Sequence, residues 1–173
     1  QLWAFAIALT NRPIPYKPVG PGHPTPWHLM SDLYFQRFQV GIAIGPRGGG
    51  KTDLVSRAMS CLMITNPGLE VACVAAIQKQ ADRCSSYMQK WFSNPVLQNI
   101  GMLVRQNLRE KELSNGAIYE QLVGTMSGSN SPHPNILGCD EVDLMNPVAI
   151  EELKMVPVSS YGRKATILYI SSR

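Results

Sequence analysis

A glycine-rich segment between an apolar run and a helical pattern limits the folds open to this chain. The segment reads Gly45-Pro46-Arg47-Gly48-Gly49-Gly50-Lys51-Thr52 and matches the phosphate-loop pattern GxxxxGK[ST] at every position. Average residue usage gives a chance match in a chain of this length a probability on the order of one per cent. Triphosphate oxygens need several converging backbone N–H donors, which small residues with a permissive φ allow, and the dipole of the following helix adds to them. The pattern predicts that Lys51 reaches the β- and γ-phosphates and that Thr52 supplies a hydroxyl to Mg²⁺.

A second candidate segment is an apolar run that ends in two adjacent carboxylates. It reads Asn135-Ile136-Leu137-Gly138-Cys139-Asp140-Glu141. Ligands of parallel sheets collect at the carboxyl ends of strands, so we expect this pair beside the phosphate loop. Asp140 is predicted to hold Mg²⁺ through water and Glu141 to polarise the attacking water, which favours hydrolysis over phosphoryl transfer. Acid pairs at strand ends are also common as solvated caps, and it is the phosphate loop upstream that favours the catalytic interpretation.

The last apolar run ends in hydroxyl side chains. Residues 167–170 lead into Ser171, Ser172 and Arg173. If this strand lies next to the phosphate-loop strand, Ser171 or Ser172 is placed to hydrogen-bond the γ-phosphate or the attacking water and to report nucleotide state. Ordinary turn residues at a strand end explain the pattern equally well.

Strand and helix patterns alternate from residue 38 onward, which defines the fold class. The alternation predicts an α/β fold with a mostly parallel central sheet flanked by helices. The predicted type is a P-loop NTPase (RecA-like, additional-strand catalytic-Glu type), with an extra strand between the phosphate-loop strand and the acidic strand. The predicted strands are 38–44, 71–77, 102–105, 117–123, 135–139 and 166–170, a hairpin turn is predicted at Asn115-Gly116, and the predicted helices are 54–64, 80–92 and 147–153.

The first 39 residues differ in composition from the rest. Six of the 13 prolines lie between Pro13 and Pro26. Proline fixes φ and removes a hydrogen-bond donor, so this stretch is predicted to be an extended or turn-rich arm outside the core, followed by a short helix at 27–38. The expected organisation is therefore an arm with a short helix, residues 1–39, and a P-loop core, residues 40–173, of what looks like an excised piece of a longer protein.

Composition restricts the classes of protein and suggests a partner. The chain is 45% hydrophobic, yet no apolar run approaches the roughly 20 residues that span a bilayer. The four cysteines lie in apolar contexts, which favours core thiols of a cytoplasmic protein over disulfides or a zinc site.

Residues 133–152 contain five acids and no lysine or arginine, so the rest of the chain carries 16 bases against 7 acids. A basic body suits a polyanion such as nucleic acid, and a solvated basic face explains the charge equally well.

Together these residues resemble a known family, the ATPase domain of the large terminase subunits that package DNA into viral capsids. The resemblance covers roughly residues 41–173. It rests on four features in order: Arg47 inside the phosphate loop, the strand that runs into a Gln-Ala helix start at 74–81, the pair Asp140-Glu141, and the hydroxyls Ser171 and Ser172 as a coupling motif. Helicases share the phosphate loop and the acid pair, so the loop arginine and the Gln-Ala segment discriminate between the two families.

The resemblance implies ATP hydrolysis coupled to translocation of double-stranded DNA into a procapsid. The implied partners are DNA, a portal, a small terminase subunit and further copies of the chain in a ring, with no membrane, in the cytoplasm of the infected host cell. The implied roles are phosphate binding by Arg47, Lys51 and the loop amides, Mg²⁺ binding by Thr52 and Asp140, water orientation by Glu141, and coupling by Ser171 and Ser172.

The chain departs from the family pattern in three places. Pro26-Trp27-His28 occupies the expected position of an adenine-contacting glutamine, so Trp27 or His28 is expected to contact the base. The loop 124–135 lacks the arginine that family members offer to a neighbouring subunit, which leaves Arg163 and Arg173 as candidates, with Arg47 acting within its own subunit as the alternative. No second carboxylate cluster remains for a nuclease, so the nuclease domain is expected to be absent.

Two other interpretations stay open. The chain also fits one RecA-like half of a helicase, which needs a second half. A further alternative is a nucleotide-gated assembly module that binds ATP with little turnover, because an arginine finger is worth about 10³- to 10⁵-fold in rate and none is evident.

Overall fold

The computed structural model describes residues 1–18, 20–123, 133–160 and 162–172. A short 3₁₀ helix, Val142–Leu144, follows the acid pair. The helices are α1 (Leu2–Thr10), α2 (Pro26–Tyr34), α3 (Lys51–Thr65), α4 (Gln78–Phe92), α5 (Pro95–Asn99) and α6 (Pro147–Leu153). The strands are β1 (Val40–Gly45), β2 (Glu70–Ala75), β3 (Leu103–Gln106), β4 (Glu110–Leu113), β5 (Ile118–Val123), β6 (Ile136–Asp140) and β7 (Thr166–Ser172).

The strands form one seven-stranded sheet in the order β1-β7-β6-β2-β5-β4-β3. The first five strands in this order are parallel to one another, and β4 and β3 extend the sheet by antiparallel pairing. β7 lies between β1, which leads into the phosphate loop, and β6, which ends at Asp140. The fold is therefore the predicted α/β P-loop NTPase fold with an additional strand, and the fold class is confirmed.

Close packing of α3 against the sheet places the phosphate loop. β6 is buried along its whole length, as expected for a parallel strand that is covered on both faces. Gly138 lies under α3, and a Cβ at this position would be only 2.9 Å from the Cε atom of Met59. The glycine therefore lets α3 cross close above β6, which brings the start of α3 beside the carboxyl end of that strand.

The N-terminal segment packs into the core more than its proline content predicted. Residues 2–10 form α1, which the sequence did not predict, and Ile14 is 1% exposed. Ile14 belongs to the same core cluster as Met30 of α2 and Met59 of α3. Proline fixes the backbone but does not prevent an extended segment from burying a neighbouring side chain. The expectation that this stretch lies outside the core was wrong, and the division at residue 40 stays a prediction.

The cysteines lie where their apolar sequence contexts predicted, in the core. All four cysteines are buried, and burial raises the pKa of Cys61 and of Cys139 to about 12. None of the helices in the described residues combines the length and the apolar character that crossing a bilayer requires.

Strand β4, like α1, α5 and the 3₁₀ helix, was not predicted from the sequence, because its residues are mostly charged. Asn115-Gly116 forms a turn between β4 and β5, with Gly116 at φ +80°. Lys111 of β4 is fully buried: its ammonium donates to the Ser85 hydroxyl and, at 3.1 Å, to the Asn107 carbonyl. Burial lowers the pKa of Lys111 to about 8.

This buried lysine should make stability depend on pH above neutrality. Below pH 8, Lys111 is protonated in both the folded and the unfolded state; between pH 8 and 10.5 the unfolded state still binds the proton that the folded state has released. The free energy of unfolding of the wild type should therefore rise through this window, by about 3 kcal/mol at most, relative to Lys111→Met. Urea unfolding of both proteins at pH 7 to 10 measures the difference, with the exposed Lys17→Met as a control. Equal pH slopes in the wild type and Lys111→Met would show that the buried ammonium is not responsible.

Candidate functional site

The glycine-rich loop has a conformation that requires glycine. Gly48 and Gly50 have φ values of +75° and +76°, and a Cβ at Gly49 would lie 3.0 Å from the Pro46 carbonyl oxygen. Left-handed φ values are readily adopted only by glycine, and a side chain at position 49 would crowd the Pro46 carbonyl group. Arg47 is exposed in this loop and forms no hydrogen bond or ion pair with any described residue.

Lys51, the first residue of α3, connects the loop to β7. Its ammonium donates to the carbonyl oxygens of Gly45 at 2.8 Å and Pro46 at 2.9 Å, and to the Ser172 hydroxyl at 3.1 Å. Gly45 is paired in register with Ser172, so the order of strands brings this hydroxyl to the lysine. The position of β7 beside β1 therefore builds one half of the site.

Thr52 and Asp140 build the other half. The Thr52 hydroxyl donates to the Oδ2 atom of Asp140 at 2.9 Å, although the two residues are 88 positions apart. Asp140 is 2% exposed, and burial raises the pKa of its carboxyl group, while the hydrogen bond from Thr52 opposes that rise. A hydroxyl beside a carboxylate offers the oxygen ligands that Mg²⁺ prefers.

Glu141 has an unusual backbone and a carboxylate with one oxygen that has no partner. Its φ and ψ are +51° and +50°, in the left-handed region that non-glycine residues seldom adopt. The Oε1 atom accepts a hydrogen bond from the Ser172 hydroxyl at 2.9 Å. The Oε2 atom is buried and has no hydrogen-bond partner among the described residues. Backbone strain and an orphaned carboxylate oxygen both concentrate at functional sites.

Ser171 and Ser172 point to different groups because consecutive residues of a strand face opposite sides of the sheet. Ser172 contacts both Lys51 and Glu141, whereas the Ser171 hydroxyl donates to the Oδ1 atom of Asp143 at 2.8 Å. Only one of the two serines predicted as coupling residues therefore lies between the phosphate loop and the acid pair. Asp143 was missed by the sequence reasoning, and its position two residues after Glu141 was the only signal for it.

A cleft of about 1120 Å³ extends from the phosphate loop to the proline-rich arm. His28 lines the cleft, whereas Trp27 is not among the lining residues and packs against the core cluster. The Thr25 N–H donates to the Nδ1 atom of His28 at 3.2 Å, and the His28 N–H donates to the Thr25 hydroxyl at 3.2 Å, which together cap α2. With Nδ1 accepting, the neutral ring carries its proton on Nε2. The lining also includes Pro24, Asp32, Phe38, Val40, Ile42, Asp53 and Arg57.

Of the arginine candidates, Arg47 lies in the phosphate loop, Arg163 lies apart from this edge of the sheet, and Arg173 is outside the described residues. Arg163 donates to the carbonyl oxygens of Pro67 and, at 3.1 Å, Gly68, next to the amino end of β2. The acid pair lies at the opposite, carboxyl end of the strands, so Arg163 does not approach it within its own chain. Residues 124–132, which form most of the loop predicted to lack an arginine, and Arg173 lie outside the described residues.

Sequence comparisons give no match, while the fold has close counterparts. No protein-family model and no curated protein matches the chain. The HK97 bacteriophage large terminase superimposes with a TM-score of 0.68 at 16% identity over 96% of this chain and 36% of that chain. A mutant ATPase domain of the Thermus phage P74-26 large terminase gives 0.63 at 14% identity over 95% of this chain and 67% of that chain.

A third solved structure contains a nucleotide analogue. It is the large terminase of a thermophilic bacteriophage in complex with ATP-gamma-S, with a TM-score of 0.56 at 12% identity over 95% of this chain. This chain spans 36% of that protein, as it does of the HK97 protein. The resemblance to terminase ATPase domains that the sequence predicted is confirmed at the level of the fold.

Proposed function

We propose that this chain is the ATPase domain of a viral DNA-packaging motor, which hydrolyses ATP to move double-stranded DNA into a procapsid. One observation supports hydrolysis more than any other: Ser172 joins the phosphate-loop lysine to Glu141 by hydrogen bonds of 3.1 Å and 2.9 Å. A phosphate-binding cation and a carboxylate suited to polarising water therefore lie on either side of one hydroxyl.

The residues present fit ATP and Mg²⁺. Glycines at positive φ free the loop amides to converge on phosphate oxygens, and Lys51 and Arg47 supply positive charge there. Thr52 and Asp140 already face each other at 2.9 Å and would hold the metal ion, directly or through water. When bound, Mg²⁺ would neutralise charge on the β- and γ-phosphates.

Glu141 is the proposed general base for the attacking water. Its Oε1 atom is fixed by Ser172, and its unpartnered Oε2 atom is available to accept a proton or hydrogen bond from water. A positioned carboxylate of this kind contributes typically about 10²- to 10⁴-fold to the rate. Ser172 is the proposed coupling residue, because any change at the γ-phosphate that moves Lys51 also changes the hydroxyl that holds Glu141.

The adenine base is proposed to lie in the cleft beside α2. The apolar side chains of Phe38, Val40 and Ile42 line the cleft and suit the faces of a purine, and the Nε2–H of His28 supplies a donor. The large terminase that was solved in complex with ATP-gamma-S supports nucleotide binding by this fold. Trp27 stays a weaker candidate, because it packs against the core cluster.

The proposed partners follow from the likeness to packaging proteins and from charge. The neighbours in structure include the bacteriophage Phi-29 viral genome packaging motor assembly. Outside the acidic stretch 133–152 the chain carries 16 bases against 7 acids, which suits double-stranded DNA. We therefore propose a homo-oligomeric ring that works with a portal, a procapsid and a small terminase subunit in the cytoplasm of the infected host cell.

A phosphate-release assay with and without double-stranded DNA tests this proposal. For a ring motor, turnover per chain should rise steeply with protein concentration and increase on addition of DNA, because a complete site needs a neighbouring subunit. Turnover that is low, flat with concentration and independent of DNA would contradict the motor and favour a nucleotide-gated assembly module. Separation of a labelled duplex into single strands would instead favour one half of a helicase. Glu141→Gln provides the background rate for each measurement.

A further inference from the structure

The 3₁₀ helix that follows the acid pair is tied to β7 by its own hydrogen bond. Asp143 lies in this helix, and its Oδ1 atom accepts from the Ser171 hydroxyl at 2.8 Å. The next residue of the strand, Ser172, donates to Glu141. Two consecutive serines therefore hold two carboxylates of one short turn.

The hydrogen bonds to β7 matter for this turn because the backbone of its first residue, Glu141, is strained. Glu141 adopts a left-handed backbone conformation, which persists in a non-glycine residue only where the surrounding contacts hold it. Inside the turn, the backbone bonds run from Leu144 N–H to the Glu141 carbonyl at 2.9 Å and from Met145 N–H to the Val142 carbonyl at 3.0 Å. These bonds define the shape of the turn but do not fix its position relative to β7.

Asp143 does not act as an ordinary helix cap. Its carboxylate accepts from a side-chain hydroxyl of another element, and no hydrogen bond to a backbone N–H of its own turn is found among the described residues. A residue whose only function was to stabilise the start of the helix would instead bond those N–H groups. The geometry thus links Asp143 to the placement of Glu141.

We propose that Asp143 is a positioning residue, which holds the turn 141–144 against β7 through its hydrogen bond with Ser171. The Glu141 carboxylate then keeps its hydrogen bond from Ser172 and stays where it can accept a proton from the attacking water. This proposal rests on the proposed hydrolysis at the same site. In this proposal Asp143 acts through Glu141, and its own observed partner is the Ser171 hydroxyl. A misplacement of about 1 Å at a reacting group can cost about 10²-fold in rate. Loss of the hydrogen bond between Asp143 and Ser171 should therefore lower turnover without lowering nucleotide affinity.

The test compares turnover and nucleotide affinity in a small set of variants. Asp143→Ala is expected to lower kcat by about tenfold to 10²-fold, with the Kd for ATP-gamma-S and Mg²⁺ unchanged within about twofold. Asp143→Asn keeps an acceptor for Ser171 and should recover most of the lost kcat, which separates the hydrogen bond from the charge. Ser171→Ala should resemble Asp143→Ala, and the double variant should be no slower than the slower single variant, because both remove one bond.

The controls separate this proposal from the proposed function. Glu152→Ala removes an exposed carboxylate of the neighbouring α6 and should leave kcat and the melting temperature unchanged. A wild type without turnover at any concentration of protein or DNA would overturn the proposed function itself. An active wild type with equally active Asp143→Ala and Ser171→Ala would overturn only the positioning role. If Asp143→Ala does not fold, the kcat of Ser171→Ala tests the proposal in its place. A double variant in which the losses in kcat of the two single variants add, or a single variant that binds ATP-gamma-S more weakly, also overturns the proposal.

Discussion

The Glu141→Gln variant is expected to bind ATP with wild-type affinity and to hydrolyse it about 10²- to 10⁴-fold more slowly. Glutamine has the same shape, so its Oε1 atom can still accept from the Ser172 hydroxyl, which is 2.9 Å from Oε1 of Glu141. What the variant loses is a carboxylate oxygen that can take a proton. In the wild type the Oε2 atom is buried and has no partner among the described residues, so it is the oxygen most suited to this role.

Single-turnover phosphate release and equilibrium titration with ATP-gamma-S measure the two parts of this prediction separately. Glu152→Gln makes the same chemical change on the exposed surface of α6 and should leave both quantities unchanged. If Glu141→Gln keeps wild-type turnover, the general base lies elsewhere. If it loses nucleotide affinity instead, Glu141 contributes to binding rather than to the chemical step.

The parts of the site that depend on local spacing were predictable from the sequence, and those that depend on strand order were only partly so. The phosphate loop could be recognised because the glycines needed for positive φ have fixed positions relative to Lys51 and Thr52. The two serines after the last strand were also evident. Their separate partners were not, because the groups that each serine meets follow from the order and register of β1, β7 and β6, which no short segment specifies.

The parts of the fold that the sequence failed to predict also depend on contacts between residues distant in sequence. Strand β4 was not predicted because a buried Lys111 makes its sequence look like an exposed, charged loop. The buried ammonium of Lys111 is stabilised by contacts with the Ser85 hydroxyl, the Asn107 carbonyl and the Tyr119 ring. None of these three residues belongs to β4, so the sequence of the strand gives no sign of them. The burial of Ile14 was missed because the neighbouring prolines indicate an exposed arm, whereas Ile14 belongs to the same core cluster as residues of α3 that are distant in sequence.

Ser172 connects the two halves of the site by contacting both Lys51 and Glu141. We expect substitutions of these two residues to affect different quantities, nucleotide affinity for Lys51 and the rate of hydrolysis for Glu141. Lys51 lies on one side of this hydroxyl, where the phosphates are proposed to bind, and Glu141 lies on the other, where the attacking water is proposed to bind. Removing the base should affect the chemical step alone, whereas removing the ammonium should affect nucleotide binding first. A pair of variants that fail in different ways would locate the phosphates on the lysine side of Ser172.

The Lys51→Met variant is expected to lose ATP affinity by on the order of 10²-fold, together with most of its turnover. Methionine keeps an unbranched side chain of nearly the same length and removes the charged end with its donors. A hydrogen bond to a charged group contributes about 1.5–3 kcal/mol, and about 1.4 kcal/mol corresponds to a tenfold change in affinity. The ammonium reaches the Gly45 and Pro46 carbonyl oxygens at 2.8 and 2.9 Å, so it lies within the loop that is proposed to surround the phosphates.

Titration with ATP-gamma-S in the presence of Mg²⁺ measures this loss. Lys164→Met removes an exposed lysine just before β7, at the opposite end of that strand from Ser172, and should bind as the wild type does. The loss should shrink as salt concentration rises only to the extent that the site is open to solvent, because partly buried charges are screened less than exposed ones. Unchanged affinity in Lys51→Met would mean that the triphosphate does not bind in the loop, and the proposed roles of Thr52, Asp140 and Glu141 would lose their common basis.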